Sequence, residues 1–354
     1  MARTPARKPP ARKSPAVRKR KAPSRGRRRK PVVIDFHAHI AVPEVLKITY
    51  GRSMFAKAVA KKTAAGKVAG LPRPAMERMT DMALRFREMD AMGIDIQVIS
   101  PSILQQCTYW AEPEAALKLE RISNDRIAEA VAAHPDRLVG IGSVPLQDVR
   151  LAVRELQRAV KRLGLKGVII GSNVNGTELG DNRFKPFWRK AQELGAAIFI
   201  HPAGSTDPRM GRHSQLITVG QPLEEALAQG SLVYDGVMDA FPKLKVAIAH
   251  GGGYLPFYTG RHDHVQKMGM VGTNLKGNFS SYLKRFNYET VLFNPDMLEY
   301  LATRVPTRNL MMGTDYPFGE RNPIRFVRSA RRIPKAAQDA ILGANAAKFL
   351  GISI

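Results

Sequence analysis

Pro31-Val-Val-Ile-Asp35-Phe-His37-Ala-His39 is an apolar run that ends in two histidines spaced two apart. Side chains alternate faces along an extended strand, so His37 and His39 point to one side, where two imidazoles can share a metal ion. Three further segments repeat the plan of an apolar strand closing on a potential ligand. They are Ala196-Ala-Ile-Phe-Ile-His201-Pro, Leu244-Lys-Val-Ala-Ile-Ala-His250-Gly-Gly-Gly253 and Leu310-Met-Met-Gly-Thr-Asp315-Tyr-Pro. Four strands ending in His, His, His and Asp predict a barrel with a metal at its mouth.

Working outward, strands alternate with helical stretches. Val32–Phe36 is the first strand, and residues 41–80 form an insertion rich in Lys, Arg, Ala and Gly. Asp81–Met92 reads as a helix with an apolar stripe, stopped by Gly93, and Ile96–Ser100 is strand two. Pro113–His134, Val149–Leu163, Pro186–Leu194 and Leu223–Ala240 are the next helices. Between them lie strands at Leu138–Val144, Gly167–Gly171, Ala196–Ile200 and Leu244–Ala249. Strand seven falls within Gly277–Val291, Pro295–Arg304 is a helix, Asn309–Gly313 is strand eight, and Ala336–Leu342 and Ala344–Leu350 close the chain. Such alternation favours parallel pairing. Eight strands, with no Gly-x-Gly-x-x-Gly after the first, predict a closed (β/α)8 TIM barrel over an open doubly wound sheet. Chemistry then sits at the C-terminal strand ends, where His37, His39, His201, His250 and Asp315 fall.

The 354-residue chain carries 56 Lys+Arg against 30 Asp+Glu, but the excess is uneven. Residues 1–30 hold 14 basic residues, no acidic ones and five prolines. Such a segment buries too little apolar surface to offset its ordering entropy and is expected to be disordered, with the barrel over 31–354. Three readings of this tail stand: a solvated extension or an initiation codon placed too early, non-specific attraction to nucleic acid, and targeting. The first is favoured, and nucleic acid is expected to be met only through the tail. No run of 18 apolar residues occurs, so no membrane span is expected. The single cysteine, Cys107, excludes an intramolecular disulfide and fits a reducing, cytoplasmic setting.

At the strand ends, His37, His39 and His201 are assigned as imidazole ligands and Asp315 as the carboxylate ligand of one metal ion. His250 precedes three glycines, where backbone can approach a ligand closely, and reads as an acid–base group; the competing reading is a partner that orients another ligand. Asp315 is a candidate for catalysis as well. His134, His213, His262 and His264 have weaker claims: His134 looks structural, and His262 and His264, which follow the triple glycine, are candidates for a subunit interface. Asn173-Val-Asn175-Gly176 either lines the site or makes a turn. The lysine nearest strand four, Lys166, lies at its starting end, so a second metal bridged by lysine is not expected.

Taken together, Asp-Phe-His-Ala-His, His201-Pro202, His250-Gly-Gly-Gly253 and Gly313-Thr-Asp315-Tyr-Pro-Phe318 resemble the amidohydrolase superfamily, in its aminocarboxymuconate-semialdehyde decarboxylase-related branch. Arg87-Glu-Met-Asp90, Tyr109-Trp110-Ala, Asp239-Ala-Phe-Pro-Lys-Leu-Lys-Val246, Pro256-Phe257 and Gly260-Arg261 extend the likeness from about residue 32 to the C-terminus. The resemblance implies a metal-dependent, non-oxidative decarboxylase of an aromatic or unsaturated carboxylic acid. It implies His37, His39, His201 and Asp315 as ligands of a single divalent metal, Zn2+ with Mn2+ as the alternative, His250 as the catalytic histidine, and Phe318 as a substrate-packing residue. It also implies a homodimer in which Arg261 reaches the substrate of the partner. Arg73 matches the second substrate arginine on an ungapped count, with Arg52 and Arg78 as alternatives. Ala203-Gly-Ser-Thr-Asp-Pro-Arg-Met210 lacks the tryptophans of the branch's namesake, which puts the substrate, though not the metal, in question. The alternatives are a hydrolase or hydratase working on a lactone, amide or unsaturated acid with the same metal, and a nucleic-acid-associated protein with an inert barrel.

Overall fold

A computed structural model of the protein describes residues 1–2, 31–52, 73–202, 204–205, 207–271 and 275–354. The tail reading, and the nucleic-acid contact attached to it, therefore lies outside the described residues, as does half of the insertion after the first strand. Eight strands carry the fold: β1 Ile34–Ile40, β2 Ile96–Pro101, β3 Leu138–Gly140 continued by Gly142–Ser143, β4 Gly167–Gly171, β5 Ala197–His201, β6 Lys245–Ile248, β7 Phe286–Glu289 and β8 Leu310–Met311. Each lies parallel to the next. The ring closes where the Phe36 N–H donates to Met312 O at 2.8 Å, the His39 N–H to Tyr316 O at 2.8 Å, and Ala38 bridges Tyr316 in parallel. This is the eight-stranded barrel that the alternation predicts.

Alternation along the strands sorts side chains into two cores. Ile34, Phe36, Val98, Ile169, Ala197, Phe199, Ala247 and Met311 meet inside the barrel. Phe349, on the closing helix Asn345–Leu350, packs edge-on against Phe36 at 5.6 Å and helps fill the end opposite the histidines. The intervening residues, such as Val168, Ile198, Val246 and Tyr288, face outward into the larger core beneath the helices.

Helix ends follow local chemistry. Asp81 caps Met82–Met92 by accepting from the Leu84 N–H, and Gly93 ends it at φ 72°, which glycine adopts without strain. The helix expected over Leu223–Ala240 is in fact two, Gln221–Tyr234 and Val237–Ala240, because Gly236 turns left-handed at φ 72°. A π-helical turn, Leu216–Gly220, precedes the first of these. Asn173-Val-Asn175-Gly176 makes the turn of a short hairpin, Asn173–Val174 with Thr177–Glu178, with Asn175 and Gly176 at positive φ.

Candidate metal centre

The interior stripe of β5 runs Ala197, Phe199, His201, so His201 projects inward past the end of the apolar core. Asp315 lies four residues past the end of β8, at φ 53°, and its carboxylate meets both histidines of β1. β1 reaches the site differently. Ile34 and Phe36 already face inward, and uninterrupted alternation would turn His37 and His39 away. The pairing with β2 shifts between Asp35 and Ala38, a bulge that reverses the parity and aims both histidines into the mouth. Asp35 steadies this bulge: it accepts from the His37 N–H, from Gln97 Nε2 at 2.8 Å and from Thr314 Oγ1 at 2.6 Å.

The groups converge. His37 Nε2 lies 3.2 Å from His39 Nε2, and Asp315 Oδ1 lies 3.4 Å from the first and 3.1 Å from the second. Ligand atoms of His37, His201, His250 and Asp315 fall within 4.8 Å of one another. The rings of His37 and His39 sit 5.2 and 5.0 Å from that of His201.

What lies behind the imidazoles shows which nitrogen faces inward. His37 Nδ1 is 3.2 Å from Glu289 Oε1, and His39 Nδ1 is 3.4 Å from the Pro101 carbonyl. His201 Nδ1 is 2.9 Å from the Gln106 side-chain amide, whose Oε1 is buried without a partner among the described residues. Exchanging the two amide atoms lets that oxygen accept the Nδ1–H. Each Nδ1–H then points outward to an acceptor, and three Nε2 lone pairs point at each other beside a carboxylate. Bare lone pairs 3.2 Å apart repel, and a divalent cation between them removes the conflict. Burial, and then the neighbouring histidines, lowers the pKa of His201 well below the ordinary value; burial foremost lowers that of His39. Burial works against the Asp315 charge, but His37, His250 and His39 hold its carboxyl well below the usual range. Neutral imidazoles and an ionised carboxylate are the states that ligate. The donor set fits a divalent metal.

His250 enters from a different backbone. It follows β6 at φ 49°, and its N–H donates to Glu289 Oε1. Its Nδ1 contacts Glu225 Oε1 and its Nε2 stands 3.8 Å from Asp315 Oδ2. Burial opposes the charge, yet the Glu225 and Asp315 carboxylates raise the His250 pKa well above the ordinary value. The three glycines that follow are crowded: a Cβ on Gly251 would meet Leu292, on Gly252 the Tyr288 ring, and on Gly253 the Pro222 carbonyl.

The remaining candidates divide. The Phe318 ring lies 6.3 Å from that of His39. Arg73 is not drawn into the cluster: its side chain is 90% exposed and pairs with Glu77 one turn along its own helix. Arg78 pairs with Glu88 at 2.9 Å, whereas the Arg52 guanidinium lies over the Trp110 ring at 5.4 Å. Arg261 is exposed on the helix Leu255–Lys267 that follows the glycines. Burial foremost, then Glu120, raises the Cys107 thiol pKa far above its ordinary value, which leaves it unreactive. His134 packs on Phe86 at 4.7 Å, and His262 is half-buried between Tyr234 and Phe279. Glu225, Glu289 and Gln106 were not singled out from the sequence; they sit on or beside elements with no motif of their own.

Comparisons with known proteins agree with this geometry. The family model "Amidohydrolase" matches residues 34–352. A 2-amino-3-carboxymuconate-6-semialdehyde decarboxylase of Dictyostelium discoideum is 36% identical over 277 residues, 77% of each chain. The crystal structure of a 5-carboxyvanillate decarboxylase from Sphingomonas paucimobilis superposes with a TM-score of 0.81 at 26% identity, over 91% of this chain and 99% of that one. A dihydroxybenzoic acid decarboxylase from Polaromonas sp. JS666, solved with manganese and an inhibitor, shares the fold with a TM-score of 0.78 at 24% identity, over 91% and 97%. The chain belongs to the amidohydrolase family.

Proposed function

We propose that this protein is a metal-dependent carboxy-lyase that removes carbon dioxide, without oxidation, from an aromatic or unsaturated carboxylic acid. The observation that carries this reading is the convergence of the His37, His39 and His201 imidazoles and the Asp315 carboxylate, with the His250 imidazole beside them. The similarity to decarboxylases over most of the chain supports it. His37, His39, His201 and Asp315 would hold one divalent ion, Zn2+ or Mn2+. Bound there, the ion is a Lewis acid that stabilises charge developing next to the scissile bond.

The chain's own residues supply the rest. Substrate carboxylate is clamped by arginine through charge-assisted hydrogen bonds, with Arg261 as one donor. For the second donor, Arg73 is the position reached by counting, and Arg52, whose guanidinium lies over the Trp110 ring, pairs with no carboxylate among the described residues. Phe318 packs on the substrate's flat face. As the carbon–carbon bond breaks, carbon dioxide leaves and the electron pair stays on the former α-carbon. His250 delivers the proton from Nε2 to that carbon and is recharged from water. Asp315, held ionised, is the poorer donor. The homodimer, the cytoplasmic setting and the division at residue 30 belong to the same proposal; among the described residues no helix is long and apolar enough to cross a membrane.

The test is carbon dioxide release from metal-loaded protein offered aminocarboxymuconate semialdehyde, hydroxybenzoates and carboxyvanillate. Release should disappear in His250→Ala, which should still bind metal, and in chelated protein, where adding Zn2+ or Mn2+ restores it. Lactone or amide cleavage with no carbon dioxide would move the assignment to a hydrolase on the same site.

A further inference from the structure

The helix Gln221–Tyr234 lies along the loop that carries His250, and it grips that loop at three places spaced three and four residues apart. Pro222 O accepts the Tyr254 N–H at 3.4 Å, Glu225 Oε1 meets His250 Nδ1, and Gln229 Nε2 donates to Gly252 O at 2.8 Å. Such spacing puts the three residues on one helix face. A Cβ on Gly253 would stand 2.2 Å from Pro222 O, so the loop can lie this close only as glycine. Glu225 itself is fully buried, and its second oxygen, Oε2, has no hydrogen-bond partner among the described residues. A buried carboxylate with a single partner is costly to keep, and an apolar side chain of similar volume commonly serves a fold equally well. Stability alone therefore does not account for it.

We infer that Glu225 is a positioning residue for the reaction: it fixes which nitrogen of His250 faces the substrate. Its carboxylate takes the Nδ1–H, so the Nδ1 proton is committed to the helix and Nε2 is the nitrogen that remains toward Asp315 and the reacting carbon. Glu289 holds the same residue from the other side by accepting its backbone N–H, which keeps His250 in its left-handed conformation. The imidazole is thereby fixed at ring and backbone by two carboxylates from different elements. The logic matches other acid–base histidines whose tautomer is set by a buried carboxylate. This inference rests on the reading of His250 as the proton donor.

The experiment uses the full-length, metal-loaded chain with 15N-labelled histidine, together with Glu225→Leu and Glu225→Gln. In the unsubstituted protein, His250, identified by the signal missing from His250→Asn, should show a protonated Nδ1 in a strong hydrogen bond. That signature should be lost in Glu225→Leu. Metal content and the unfolding midpoint should hold or rise, while kcat falls about a hundredfold or more and KM stays within about threefold. An unprotonated Nδ1 in the unsubstituted protein would overturn the inference. So would Glu225→Leu with kcat retained within about threefold, or a loss lying wholly in KM. Should Glu225→Leu not fold, the spectrum of the unsubstituted protein and the kcat of Glu225→Gln decide. The spectrum needs no turnover, so failure to decarboxylate any acid would count against the proposed function and leave the positioning role testable.

Discussion

Each imidazole ligand candidate carries a partner behind it, and those partners set its chemistry. Glu289 is the most heavily used: it takes the His37 ring, the His250 N–H and the Val291 N–H at 2.6 Å. Glu289→Gln keeps the shape but weakens the acceptor that fixes the His37 tautomer. Metal affinity should fall about 10–100-fold, read by competition with a chromogenic chelator; unchanged affinity would mean His37 needs no such support. Gly252 is a second sensitive position. At φ 83°, a Cβ there would lie 2.6 Å from the Tyr288 ring and 3.2 Å from Gln229 Nε2. Gly252→Ala must therefore move the loop that carries His250, at a strain cost of about 1–3 kcal/mol. Activity should fall more steeply than the unfolding midpoint, and an active variant of normal midpoint would count against a rigid loop.

At the scale of elements, β1 shows what the sequence can and cannot reveal. The histidine pair was read correctly as sharing one side. The bulge that turns that side inward was not legible, since Asp35-Phe-His37 looks like regular strand. Strand β5 needed no such device, and its interior stripe could be read directly. β7 was found only within a window because Phe286-Asn-Tyr-Glu289 alternates faces without a continuous apolar run. Neither the π-turn before Gln221 nor the break at Gly236 is legible in the sequence, because the apolar pattern runs across both. The buried carboxylates were the least readable of all: nothing in the spacing of Glu225 or Glu289 distinguishes them from solvated glutamates.

A third buried carboxylate belongs to this scale. Glu120, on the helix Pro113–Ala133, accepts from Thr108 Oγ1 at 2.6 Å and from Ser143 Oγ, tying that helix to the loop after β2 and to β3. Burial pushes its pKa from 4.5 up to about 7. The folded state thus holds this proton more tightly than the unfolded chain. Its contribution to stability is full below pH 4.5 and is lost as pH rises to 7. Glu120→Gln has no such proton to lose. Between pH 5 and 8 the unsubstituted protein should lose roughly 2–3 kcal/mol relative to the variant, measured by urea unfolding at each pH. Parallel curves would show that Glu120 stays ionised in the fold.

Across the whole molecule, charge and chemistry are separated along the chain. The donor cluster is complete within residues 37–315, and the family match runs over 34–352. The first 30 residues hold a quarter of all basic side chains and no acidic one, leaving 42 basic and 30 acidic residues for the other 324. The proposal that the tail is separate from the barrel's chemistry makes two demands on a chain lacking residues 1–30. First, kcat and KM for carbon dioxide release should match those of the full chain within about twofold, and the metal content should be equal. Second, any binding of the full chain to duplex DNA should weaken steeply with salt. Each neutralised phosphate adds about 0.9 to the slope of log affinity against log salt, so even half of the 14 tail cations would give a slope of roughly −6. The truncated chain should lose that slope, its remaining excess of 12 being spread over a far larger surface. A truncated chain that binds DNA as before would assign the attraction to the barrel surface. One that folds and takes up metal but turns over slowly would join the tail to the active site.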